Sequence, residues 1–159
     1  MLGPAGMKAL LKEQRVARLA TVDRRGRPHV VPVVFAYAAG RIYTPLDLKP
    51  KSVPPQRLQR VRNILANPHV QVLVDRYDED WRRLAYVQLR GRADLIAAGA
   101  EYRRAIGLLE RKYPQYVALP LRGRPVVRVV VERAVSWGAG VRRGALRASP
   151  APRRRAARR

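Results

Sequence analysis

Residues 46–63, LDLKPKSVPPQRLQRVRN, hold two lysines and three arginines among three prolines, and end at Asn63. The prolines deny this stretch a regular ladder and leave a connection that runs into a helical pattern. From Gln56 or Arg57 to Ala66, Leu58, Val61, Ile64 and Leu65 fall on one helical face, and Asn67–Pro68 stops the run. A basic connection entering a helix start is an anion site in physical outline. The first N–H groups have no partner within the helix, and the helix dipole favours negative charge there. Lys49 and Lys51 add point charges, while Arg57, Arg60 and Arg62 add planar forks that grip phosphate oxygens in pairs. A solvated basic loop and helix back fits the same pattern equally well.

Other chemistry is poorly provided for. The chain has no cysteine, which excludes disulfides, zinc thiolates and thiol nucleophiles. Its two histidines, His29 and His69, flank a strand and a helix-stopping proline, where surface or turn positions are expected rather than metal ligation. The acidic group Asp75, Asp78, Glu79 and Asp80 lacks the central glycine and distal glutamate of a calcium loop and reads as a solvated loop. There is no phosphate-binding G-x-x-x-x-G-K-[ST] and no G-x-S-x-G elbow. The glycines of GAGVRRG, residues 138–144, have the wrong spacing for a dinucleotide turn.

The formal net charge of +23 raises the question of a nucleic-acid partner. Part of that charge is segregated. Residues 142–159 carry eight arginines and no acid, with too little large apolar surface to fold, so a basic, disordered tail is expected beyond a single domain spanning 1–141. Basic residues are otherwise mostly arginine; the only lysines are Lys8, Lys12, Lys49, Lys51 and Lys112. A chain of 159 residues can bury about 68–70% of its surface, enough for a core without covalent staples. No apolar run reaches the roughly 18 residues of a membrane span, and the first residues lack the apolar centre of a signal peptide. A cytoplasmic protein with no membrane contact is expected.

The elements that must position the basic stretch follow from periodicity. MKALLKEQ reads as a short helix and RVARLATV as a strand. DRRGRP is a hairpin connection. HVVPVVFAY reads as a strand buried on both faces, with a ladder break at Pro32, and RIYTP as a third strand completing a meander. After the helix of residues 56–66, VQVLVD and LAYVQLRGRADLI read as strands, with a bulge at Gly91. A helix over 99–113 and a Val-rich strand over 125–137 complete the order. Six strands without βαβ alternation imply a mostly-β fold: an antiparallel barrel with helices packed outside. Val70–Val74 and Pro125–Val131 offer more apolar surface than such a barrel needs, which points to an isologous homodimer.

Three stretches in order, RVARLATVDRRGRPHVVPVVFAYAAGRIYTPLD, RLQRVRNILANPHVQVLVD and VQLRGRADLI, resemble the pyridoxamine 5'-phosphate oxidase-like split β-barrel family. Within it they are most similar to the branch of F420-dependent oxidoreductases. The resemblance spans Leu10 to Trp137. It implies a six-stranded split barrel and a homodimer with cofactor sites at the subunit interface. It also implies F420, or alternatively FMN, as cofactor. By position, Pro32, Val33, Thr44, Pro45 and Leu46 would lie near the ring, and Lys49, Lys51, Arg57, Arg60, Arg62 and Asn63 would form the phosphate-binding segment. Trp81 and Trp137 would contact the cofactor from either subunit, unless they serve ordinary core or dimer packing. The chain departs from the shorter family pattern by the insertion KPKSVPPQ, which bears on whether Lys51 or Arg60 meets the phosphate.

The cofactor itself carries hydride transfer, in accord with the missing acid, base and nucleophile constellation. An anionic, polyglutamate-type tail suits a basic groove, so F420 is favoured over FMN, with a small organic molecule as substrate. A non-catalytic flavin or deazaflavin carrier on the same fold is a further reading. A basic barrel binding nucleic acid is the reading from another class. Phe35, Tyr37, Tyr43 and Tyr86 form no evident stacking row for it, so only non-specific contacts of the tail are expected.

Overall fold

The computed structural model describes residues 2–46, 54 and 57–138. Lys49, Lys51 and the basic tail therefore lie outside the described residues. The chain runs α1 (Pro4–Glu13), β1 (Val16–Val22), β2 (Pro28–Val34), β3 (Ala36–Ala38), β4 (Arg41–Pro45), α2 (Gln59–Ala66), β5 (His69–Arg76), β6 (Ala85–Ile96), α3 (Gly99–Lys112) and β7 (Val126–Gly138). Among the described residues no helix is long and apolar enough to cross a membrane.

The strands form one antiparallel sheet in the order β2-β1-β5-β6-β7-β4-β3. Its two end strands, β2 and β3, are separated in sequence by Phe35 alone. The sheet must therefore curl until its ends meet, and β2 packs against β4 where it closes. This replaces the expected meander. The apolar run from His29 to Tyr37 is not one strand but two, so the sheet has seven strands rather than six.

Phe35 is fully buried in the gap, and its backbone joins neither ladder. One phenol serves it: Tyr113 Oη accepts from Phe35 N at 2.9 Å and donates toward Phe35 O at 2.8 Å and Arg15 O at 2.7 Å. Buried main-chain groups need such partners, and here the partner comes from the end of α3.

β2 also differs from expectation in burial. Val30 and Pro32 are exposed, because among the described residues no layer covers the outer face of this end strand. Pro32 makes no ladder break either. The pairing with β1 runs without a slip from Pro28 to Val34, and an end strand tolerates a residue that cannot donate on its open side.

Inside the barrel, alternate residues of each strand point inward: Ala17 and Leu19, Val70, Val72 and Val74, Val87 and Leu89, Val127 and Val129. Leu10 and Leu11 of α1 and Val61 and Ile64 of α2 close this core. A second core forms where α3 lays Tyr102, Ala105, Ile106 and Leu109, one helical face, on Ala36, Tyr43 and Val126. The expected bulge is present: the β6–β7 register shifts between Arg90 and Gly91. A Cβ at position 91 would stand 2.0 Å from the Val130 carbonyl oxygen, so only glycine allows the strands to approach there.

Candidate functional site

α2 is anchored by a buried polar side chain rather than by apolar contacts alone. Asn63, 2% exposed, donates from Nδ2 to Thr21 Oγ1 at 3.0 Å and accepts at Oδ1 from Gln59 Nε2 at 2.6 Å. Thr21 Oγ1 in turn donates to His29 O at 3.3 Å. The chain of bonds bolts the helix onto β1 and β2. Asn63 thus positions α2, with its carboxamide engaged inside the protein. Arg62, the next residue back, is turned out to solvent and donates to Gln59 Oε1.

The bolt brings α2 beside the β1–β2 hairpin. Between them lies an open cavity of about 620 Å³ lined by Arg24, Arg25 and Arg27 of the hairpin and by Gln59, Arg62 and Asn63 of the helix. Its one carboxylate, Asp23, is consumed locally. It accepts from the backbone N–H groups of Arg25 and Arg27 at 2.8 and 3.0 Å and from Arg27 Nε at 2.8 Å. The Arg27 backbone bond first, and its side chain next, hold the Asp23 carboxyl below its usual range. Arg24, Arg25 and Arg62 are left without a carboxylate among the described residues. Planar guanidiniums with open forks are the donor set that suits phosphate and clustered carboxylates.

Sequence reasoning placed Arg62 and Asn63 here but missed Arg24, Arg25 and Arg27, because DRRGRP reads first as a turn. Three arginines in four positions of one hairpin were the available signal. Arg57 is exposed just before α2 and Arg60 is half-buried on it.

The residues expected beneath a ring are drawn from two strands that the barrel closure brings together. Pro32 and Val33 sit on β2, Thr44 and Pro45 on β4. Val33, Thr44, Pro45 and Leu46 are buried, and Leu46 N donates to Pro125 O at 3.1 Å. Pro32 faces outward. The tryptophans are elsewhere. Trp137 stacks on Tyr86 with ring centroids 6.0 Å apart, and Trp81 lies in a 3-10 turn over Trp81–Arg83 at that same end of the sheet. From Val127, the partner of Thr44, to Trp137 is ten residues of β7, on the order of 30 Å of strand. Within one chain the tryptophans and Thr44 do not share a site. Trp81 and Trp137 are 73% and 51% exposed.

The apolar surplus is also placed differently from expectation. Val70, Val72, Val74, Val126, Val127 and Val129 are all buried in the chain's own cores. Of the apolar residues in Val70–Val74 and Pro125–Val131 only Val130 is exposed; elsewhere the apolar residues left outward include Val30, Pro32, Trp81 and Trp137. The acidic loop is used in ion pairs: Asp75 with Arg18, Asp78 with Arg83, Asp80 with Arg82. His69 Nε2 stands 3.3 Å from Arg92. Among the described residues no group of three or more His, Asp or Glu side chains could hold a metal ion.

Comparison with known proteins agrees with this architecture. No curated protein matches the chain. Among solved structures, a conserved hypothetical protein of Mycobacterium tuberculosis superposes with a TM-score of 0.71 at 21% identity, covering 87% of this chain and 86% of that one. A FAD-binding protein of Mesorhizobium loti gives 0.63 at 24% identity, over 85% and 92% of the two chains. The haem storage protein HutZ of Vibrio cholerae gives 0.66 at 17% identity, over 87% and 95%. Identities this low speak for the fold alone. The family model of pyridoxamine 5'-phosphate oxidase matches residues 4–141, which takes in every strand and helix described above, and the chain belongs to that family.

Proposed function

We propose that this chain is an F420-dependent oxidoreductase acting on a small organic substrate. The observation that carries the reading is the cavity between the β1–β2 hairpin and α2, where Arg24, Arg25 and Arg62 converge without a carboxylate of their own. F420 brings a phosphate and a run of carboxylates, so it offers several anions to several guanidiniums. FMN, with one phosphate, needs fewer. The donor set fits such a group. When bound, the cofactor supplies hydride transfer.

The chain's own residues bind, orient and exclude water. Arg62 and the hairpin arginines hold anionic groups; Asn63 fixes α2 against β1; Thr44, Pro45 and Leu46, with Val33 across the closure, supply a floor, and Pro32 lies on the opposite, outward face of β2. The outward Val30, Pro32, Val130 and Trp137 support a homodimer, in which a second copy brings Trp137 to the site that one chain cannot reach with it. FMN at the same place is the second reading, favoured by the likeness to the FAD-binding protein of Mesorhizobium loti.

Titration of purified variants with F420 and with FMN, followed by fluorescence, tests the site. Arg62→Ala, Arg24→Ala, Lys51→Ala and Arg60→Ala are each expected to weaken F420 binding about ten- to hundred-fold, the worth of one charged hydrogen bond. Arg104→Ala, an exposed same-sign change on α3, is the control and should do little. Equal, small losses from all five would mean the charge acts only as a diffuse field.

A further inference from the structure

A second cavity of about 620 Å³ lies on a different part of the molecule, between α1, the β3–β4 turn and the end of α3. Its floor is apolar, with Leu11, Ala36, Ala38 and Leu108, and Tyr37 stands at its side. Around that floor are five cations, Lys8, Lys12, Arg15, Arg111 and Lys112, and no carboxylate.

Two of these cations have structural work. Lys112 Nζ donates to Leu11 O at 3.1 Å, while Arg15 donates to Lys112 O, so each caps the other's helix end. That accounts for neither the remaining three nor the kind of cation. The chain has only five lysines, and three of them line this one cavity. The cavity beside α2 has arginines alone. A compact ammonium on a flexible stem is a point charge that can pair with a single anionic head without the fixed geometry a guanidinium fork imposes. Lys112 is half-buried, its Nζ 3.9 Å from the Phe35 ring centroid, and its only described acceptor is a carbonyl. Burial and the charge of Arg15 lower its proton affinity. An ammonium held this way gains from an anion brought beside it. The volume falls in the range of small-molecule pockets, about 300–1,000 Å³.

We propose that this cavity is a binding site, separate from the cofactor site, for a monocarboxylate with an apolar body. The carboxylate pairs with Lys112 and with Lys8 or Lys12 across the mouth, and the apolar body lies on Leu11, Ala36, Ala38 and Leu108. The proposal does not depend on which cofactor the α2 cavity holds.

The test is titration of the ¹⁵N-labelled full chain with sodium decanoate, read by amide shifts, with decanol as the uncharged comparison. Shifts confined to residues 8–15, 36–40 and 108–112, unaltered by saturating F420, are expected. Lys112→Met, and separately the surface pair Lys8→Glu with Lys12→Glu, should weaken decanoate binding about ten-fold or more. Arg62→Ala in the other cavity should leave it unchanged. The surface pair keeps the test open should Lys112→Met disturb the helix ends. Decanol binding as tightly as decanoate, shifts centred on α2, or no shifts at millimolar decanoate would each overturn the proposal.

Discussion

Replacing Tyr113 by phenylalanine removes one oxygen atom and should open the point at which the barrel closes. That oxygen is the sole described partner of the Phe35 N–H and the donor shared by the Phe35 and Arg15 carbonyls. Phe35 is fully buried, so neither group it loses can turn to water. Burial also pushes the phenol's pKa up, so the hydroxyl remains a neutral donor at ordinary pH. A buried donor or acceptor left unpaired costs about 1–3 kcal/mol, and one N–H and effectively one carbonyl are stranded, for a total of about 2–6 kcal/mol. That is a large part of a typical stability of about 5–15 kcal/mol. For a chain of this size it corresponds to a fall in Tm of about 5–15 °C. Urea denaturation and calorimetry of wild type, Tyr113→Phe and Tyr37→Phe would measure it. Tyr37 makes no hydrogen bond through its hydroxyl among the described residues, so its change should stay within about 0.5 kcal/mol. A Tyr113→Phe protein no less stable than Tyr37→Phe, at unchanged m, would refute the reasoning.

Gly91→Ala should destabilise by about 1–3 kcal/mol in urea, because the new Cβ meets Val130 backbone, which can yield only by moving β7. Asn63→Ala and Thr21→Val should each cost about 1–3 kcal/mol and couple in a double-mutant cycle, and Asn63→Ala should also weaken cofactor binding by loosening α2. Lys112 gives a pH dependence whose sign is fixed: burial first, then Arg15, brings its pKa from 10.5 to about 8. The unfolded chain therefore holds that proton to higher pH, and this group's contribution to stability rises from about pH 8 to 10.5. The groups facing it are Lys8 and Lys12 from α1, Arg15 from the link between α1 and β1, Tyr37 from β3, and Arg111 and Tyr113 from α3 and its end; Lys112→Met should flatten the rise in denaturation midpoints across that interval.

Much of the barrel can be read along the chain because its signals are local. Alternation alone marks β1 and β4, and Gly91 in the middle of a long apolar-polar alternation marks the bulge. α3 shows its apolar face at helical spacing and stops before Pro114. What could not be read depends on residues far apart in sequence. Nothing between His29 and Tyr37 says that the strand breaks at Phe35, because the tyrosine that satisfies the break comes 78 residues later. The arginines of the hairpin acquire meaning only when α2 is bolted beside them, and that bolt runs from Asn63 to Thr21, 42 residues apart. The clustering of lysines likewise exists only once α1 and α3 meet. The order of elements already implied a barrel and the resemblance to split-barrel proteins agreed with it, while the burial of Val70, Val72, Val74, Val126, Val127 and Val129 inside one chain was hidden from a count of valines.

The central claim is that this fold holds a deazaflavin. Purified protein incubated separately with F420 and with FMN, desalted, and examined by absorbance tests it directly. The account predicts that F420 stays with the protein at about one per chain, with FMN held more weakly, in line with the several anions that the arginine cavity can engage. Protein that emerges clear of both cofactors would contradict it.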